Sequence, residues 1–124
     1  LTFNPKDDLA YAIKSRAEFY LGRLDEAKAD NDKAIALNDC PEYQFDRAKI
    51  LYKYGNYEES KKIFNSLLQD IQTSKIYEYM GLCDYAAGNY TSALSNIDKA
   101  IILSDDDEYL ENKYNEIKKI LEQN

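Results

Sequence analysis

The 124-residue chain contains no histidine. Imidazole is the side chain that titrates near neutral pH, and it is the commonest metal ligand. Its absence removes the most frequent general base and would force any zinc site to use unusual ligands. Cysteine is almost as scarce. Cys40 and Cys83 stand alone, with no CxxC pair, so neither a zinc ribbon nor a dithiol motif is expected. Two unpaired thiols favour a reducing, cytoplasmic compartment. Cations are few: Lys and Arg number 16 against 23 Asp and Glu, for a net charge of −7. Polyanions recruit proteins through clustered Lys and Arg. Scattered cations in an acidic chain argue against nucleic acid and anionic membrane surfaces as partners. No apolar run approaches the roughly 20 residues that cross a bilayer, so no membrane insertion is expected. The chain opens at Leu1 without a Met, and no signal-peptide pattern is evident. That start is expected of a piece excised from a longer chain.

What the chain does contain is repetition. The strings LGRLDEA, YGNYEES and AGNYTSA place glycines at 22, 55 and 88. Both intervals, 55 − 22 and 88 − 55, equal 33. A second echo, DKAIAL from Asp32 and DKAIIL from Asp98, has a spacing of 98 − 32 = 66, twice that period. Two unrelated strings sharing one period identify an internal repeat.

Each unit reads as helix, tight turn, helix. Helically spaced residues precede each glycine: Ala10, Ala17 and Leu21; Phe45, Ala48 and Tyr52; Tyr77, Gly81 and Tyr85. Glycine ends such helices because it accepts the left-handed backbone just past the cap. Leu24, Tyr57 and Tyr90 follow two residues later and are expected to plug the open end of each hairpin. The second helices carry Ala27 and Ala34, Ser60 and Leu67, and Ala93 and Ala100. Small side chains there permit close approach of two helix axes.

This pattern resembles the tetratricopeptide repeat family, in which an aromatic, Leu-Gly, Tyr, Ala, an aromatic and Pro recur over about 34 residues. The third unit matches through Tyr77, Met80-Gly81, Ala93 and Ile97, and the second through Ala48, Leu51, Ser60 and Phe64. The first matches through Tyr11, Ser15 and Ala27 but departs at Lys14, Glu18 and Asn31. The resemblance implies an all-α fold: a right-handed superhelical stack of three hairpins (8–40, 41–73 and 74–105) closed by a capping helix over 106–124. It also implies that 1–7, with Leu1–Pro5, is the tail of a preceding repeat. Relatives with a basic residue at position 14 often carry Asp at position 30. Asp30 is therefore expected to pair with Lys14 or Arg47.

Other motifs have ordinary explanations. The run Asp105 to Glu108 lacks the alternating ligands and turn glycine of a calcium loop, and helix capping accounts for it. Asn89-Tyr90-Thr91 is formally a glycosylation acceptor, although Tyr90 is needed as the plug. No paired carboxylates in a closed cleft and no nucleophile motif can be read from the spacing. No enzymatic activity, cofactor or metal is expected.

The functional expectation concerns the first helix of each hairpin. In the resembling family these helices line a concave groove. The corresponding positions are Arg16 and Phe19 in the first hairpin, Phe45, Lys49, Tyr52 and Lys53 in the second, and Tyr79 and Tyr85 in the third. An aromatic groove with cations suits an extended peptide or a partner helix. Chaperone-binding relatives hold a C-terminal carboxylate at positions occupied here by Ala12, Arg16, Asp46, Lys75 and Tyr79. Only Lys75 agrees, and Asp46 would repel the carboxylate, so that ligand is not expected. The chain therefore reads as a protein-interaction scaffold. The alternatives are a structural segment of a longer array, a module that self-associates through its N-terminal end, or an accessory domain of an enzyme encoded elsewhere in the parent chain.

Overall fold

The computed structural model describes residues 7–104 and 107–123. The expected preceding-repeat tail at Leu1–Pro5, and Asp105 and Asp106 of the acidic run, lie outside the described residues. Seven helices and no strand occur among the described residues: α1 (Asp8–Tyr20), α2 (Leu24–Leu37), α3 (Pro41–Lys53), α4 (Tyr57–Leu67), α5 (Ser74–Ala86), α6 (Tyr90–Leu103) and α7 (Glu108–Glu122). The chain divides into two compact units, Leu1–Asn56 with α1 to α3 and Tyr57–Asn124 with α4 to α7.

The turns show why the glycines are spaced as they are. Gly22, Gly55 and Gly88 have φ of 80°, 86° and 85°, a region in which a Cβ is strained. Each glycine N–H donates three residues back, to Phe19, Tyr52 and Tyr85. The next N–H donates five residues back, from Arg23 to Glu18, Asn56 to Leu51 and Asn89 to Asp84, at 2.8, 2.9 and 2.8 Å. This double bond closes the last carbonyls of α1, α3 and α5 in the same way. Elsewhere capping follows local chemistry. Asp7, Thr73 and Asp107 accept from the backbone N–H three residues on, and Pro41 occupies the first turn of α3, where its missing N–H is not needed.

In unit 1, α1 and α2 form a hairpin and α3 packs on α2. Ala12, Ala34 and Tyr43 form a buried cluster with Tyr11, Ile35 and Cys40 against it. Ser15 donates to the Ala27 carbonyl at 2.7 Å, and Asn31 to the Tyr43 carbonyl at 3.1 Å. Ser15, Ala27 and Asn31 are fully buried. Asn31, a departure from the family pattern, thus serves to tie α2 to α3.

In unit 2, α4 packs on α5, α5 and α6 form a hairpin, and α7 covers α6. Ala93, Ile97, Ala100, Leu110 and Ile117 make the core, with Tyr77, Tyr85, Tyr90 and Tyr114 against it. Leu110 and Ile117 anchor the apolar stripe of α7, while Glu111, Asn112 and Lys118 are exposed. The 66-residue echo recurs as a contact. Lys33 sits 5.4 Å over the Tyr11 ring, and Lys99 sits 5.7 Å over the Tyr77 ring.

Candidate functional site

In unit 1 the expected residues gather where α1 faces α3. Lys49 lies 5.2 Å from the Phe19 ring centroid, 5.4 Å from Tyr20 and 5.2 Å from Phe45. Rings around an ammonium stabilise it through their negative faces. Lys49 is only 8% exposed and also approaches Asp46 at 3.9 Å. The Arg16 guanidinium donates to the same Asp46 carboxylate at 2.8 Å. Burial pushes the Asp46 carboxyl above the usual carboxylate range, against the opposing pull of Arg16 and Lys49. The two cations of this face are therefore joined through one buried acid. The part left to solvent combines the Arg16 side chain, 39% exposed, with Tyr20, at 75% exposure, which meets Phe19 edge-on at 5.2 Å. Tyr52 is partly exposed, and the exposed Lys53 lies 5.8 Å from its ring.

In unit 2, Tyr79 stacks on Phe64 at 5.4 Å. The Tyr85 hydroxyl donates to Glu116 at 2.9 Å, and Lys113 lies 5.0 Å over the Tyr85 ring. Both partners come from α7. The bond from Tyr85 and the charge of Lys113 hold the Glu116 carboxyl below its ordinary value. Tyr85 is thus shared between the capping helix and the first-helix face.

The sequence did not disclose a buried polar cluster in the same unit. Asp84, 2% exposed, accepts from Lys61 Nζ at 2.7 Å, Ser92 Oγ at 2.8 Å and Asn96 Nδ2 at 2.9 Å. These residues line a trough of about 810 Å³ lined by α4, α5 and α6. A signal existed. Asp84 stands 66 residues after Glu18, as Ser92 and Asn96 do after Glu26 and Asp30.

At that earlier locus the chemistry differs. Asp30, 4% exposed, pairs with Lys14 at 3.5 Å and Lys33 at 3.9 Å, so Lys14 is the partner it takes of the two expected. Glu18 is 6% exposed, and its Oε1 has no hydrogen-bond partner among the described residues. Burial first, and then the neighbouring Asp30 and Glu26 carboxyls, push Glu18 up to about 7, although Lys14 pulls it down. The folded chain therefore holds this proton more tightly than the unfolded chain. Stability from Glu18 is fully present below about pH 4.5 and is lost as the pH rises through about 7. Glu18→Gln should flatten the fall in melting temperature between those values and raise it at pH 8. Melting curves of both proteins across that range check this.

No described group of His, Cys, Asp and Glu could hold a metal ion, and no described helix is long and apolar enough to cross a membrane. No protein-family model and no curated protein sequence matches the chain. Solved structures do. The first TPR domain of Spaghetti (RPAP3), bound to the HSP90 peptide SRMEEVD, matches with a TM-score of 0.82 at 17% identity, over 98% of each chain. The first TPR domain of human RPAP3 gives 0.83 at 18% identity, over 97% of this chain and 96% of that one. The Sgt2 TPR domain from Aspergillus fumigatus gives 0.80 at 17% identity, over 94% and 80%. The chain has the tetratricopeptide-repeat fold, as the 33-residue glycine spacing implies.

Proposed function

We propose that the chain is a protein–protein interaction scaffold that takes an extended peptide or a partner helix on the first-helix faces of its hairpins. The observation that carries this reading is the α1/α3 face of unit 1. Three aromatic rings surround Lys49, Arg16 and Lys49 meet on Asp46, and Tyr20 projects to solvent. Phe19, Phe45 and Tyr52 extend that surface, with Lys53 at its edge. Aromatic anchors give large contact area at low entropy cost, and they dominate interface energetics. Tyr79 and Tyr85 supply the corresponding aromatic surface of unit 2. The Spaghetti domain that shares this fold is itself a peptide binder, which supports the reading for the class of ligand. The ligand's end group differs. Ala12 is fully buried and Asp46 carries an acid that Arg16 already holds, so a C-terminal carboxylate is not the group recognised here.

Binding of the partner captured by the intact chain should weaken about tenfold or more in Tyr20→Ala and in Tyr52→Ala. Circular dichroism should be unchanged, because both side chains are at least partly exposed. Lys28→Glu, on the exposed side of α2, should alter neither. Lys49 is too buried for a charge reversal to report on binding alone. Loss of binding in Lys28→Glu, with the two tyrosine variants unaffected, would place the working surface on the second helices instead.

A further inference from the structure

None of the residues of the proposed first-helix surface lines the trough of unit 2. Ser60 and Phe64 of α4 meet Cys83 and Tyr79 of α5, while Ser74 and Asp84 of α5 meet Ala100 and Asn96 of α6. α5 therefore runs antiparallel to both neighbours. It follows that α4 and α6 run parallel, level near the 33-residue interval of the repeat. Between these two walls Met80, Cys83 and Asp84 of α5 form a buried floor.

The floor is electrically closed. Asp84 accepts from Lys61, Ser92 and Asn96, so Lys61 and Asp84 offset one another. The walls carry charges that are not closed. Glu58 and Glu59, in the first turn of α4, line one end. Lys62 of α4 and Lys99 of α6 line the other, with Asn65 and Ser95 beside them. All four charged side chains are exposed, and none joins an ion pair among the described residues. The helix dipole accounts for the two acids. It does not account for the lysines, since neither lies in the last turn of its helix.

We infer that the trough is a second docking site, which takes an extended peptide segment of a partner protein bearing a base and an acid two residues apart. The base sits at the Glu58–Glu59 end and the acid at the Lys62–Lys99 end. The spacing follows from the walls. Lys99 is level with position 66 of α4, so the basic end centres near 64. The acidic end centres between 58 and 59, about 8 Å away at 1.5 Å per helical residue. Side chains two residues apart on an extended chain share a face and stand about 7 Å apart. The hydroxyl and amide groups of Ser95, Asn65 and Asn89 suit the N–H and C=O groups of such a main chain, and they suit an apolar helix face poorly. A segment with two acids meets like charge at Glu58 and Glu59, and one with two bases meets it at Lys62 and Lys99. Both are rejected.

The probe is the capped peptide Gly-Ser-Asn-Lys-Ser-Glu-Asn-Ser-Gly, titrated into the full chain and followed by backbone amide NMR. Saturable shifts are expected at Lys62, Asn65, Ser95 and Lys99. Replacing the peptide's Lys by Glu, or its Glu by Lys, should weaken binding about tenfold or more. Lys62→Glu and Lys99→Glu chains should lose the original peptide to the same extent, with circular dichroism unchanged because both positions are exposed. A Glu59→Lys chain should instead gain affinity for the two-acid peptide. Tyr20→Ala should leave all of this unchanged, which separates the trough from the first-helix face. No saturable shift at millimolar peptide, equal binding by the three peptides, or shifts confined to the α1/α3 face would overturn the inference.

Discussion

Gly81→Leu is expected to lower the melting temperature by on the order of 10 °C. Overpacking a tight helix contact costs about 1–3 kcal/mol or more, and a domain of this size loses several degrees per kcal/mol. Gly81 is where α5 approaches α6. A Cβ there would lie 2.7 Å from Ile97 Cδ1, 2.8 Å from Ile97 Cγ1 and 3.3 Å from the Ala93 carbonyl oxygen. The last contact is backbone and cannot swing away. Ile97 and Ala93 are fully buried, so a leucine has no empty space to enter. Gly81→Ala should be milder than Gly81→Leu but still destabilising. Its methyl is that same Cβ, which meets Ile97 Cδ1 and Cγ1 and the Ala93 carbonyl, while adding nothing beyond it, and alanine regains about 1 kcal/mol of helix propensity. Ile97→Ala should recover part of the Gly81→Leu loss, because the two side chains compete for one volume. Thermal unfolding of the three variants checks the series. A Gly81→Leu protein that melts like its parent would contradict the α5/α6 contact.

Lys61→Met is expected to destabilise unit 2 by up to about 3–5 kcal/mol, the range for leaving one member of a buried ion pair alone. The charge that stays behind belongs to Asp84, which is 2% exposed. Lys61 itself is about one-third exposed. The opposite change therefore differs in kind: in Asp84→Asn the lysine can turn to water. Ser92 and Asn96 continue to donate to Asp84, which sets the quoted range as an upper bound. Lys61→Met should also be the more damaging of the two. Urea denaturation of the two variants, with their midpoints compared, measures the difference. Equal small losses would show that Asp84 is satisfied by its neutral donors alone.

Much of the fold was legible because its signals are local. The glycine at C′ of a first helix answers a backbone demand that few other residues meet, so three glycines at one interval already give the hairpins. Small residues at 15, 48 and 81 mark the inner side of each first helix for the same reason of space, and all three are buried. The pairing of Asp30 with Lys14 was legible through the covariation implied by the family resemblance. The environment of Lys49 was not. Lysines are usually solvated, and nothing in its neighbours along the chain shows that Phe19 and Tyr20, some 30 residues earlier, will close over it. The Asp84 cluster was hidden differently. Its members are ordinary polar residues on α4, α5 and α6, and only alignment at the 66-residue interval shows that acids at 26 and 30 have become Ser92 and Asn96.

The central claim is that the first-helix face of unit 1 meets the partner. Site-specific photocrosslinking tests it most directly, with one photoreactive residue placed at Tyr20 and, in a second protein, at Lys28 on α2. Both positions are exposed, so neither probe should disturb the fold. Irradiation of each protein with the captured partner should crosslink it from position 20 and leave it free from position 28. Crosslinking from position 28 with none from position 20 would contradict the account.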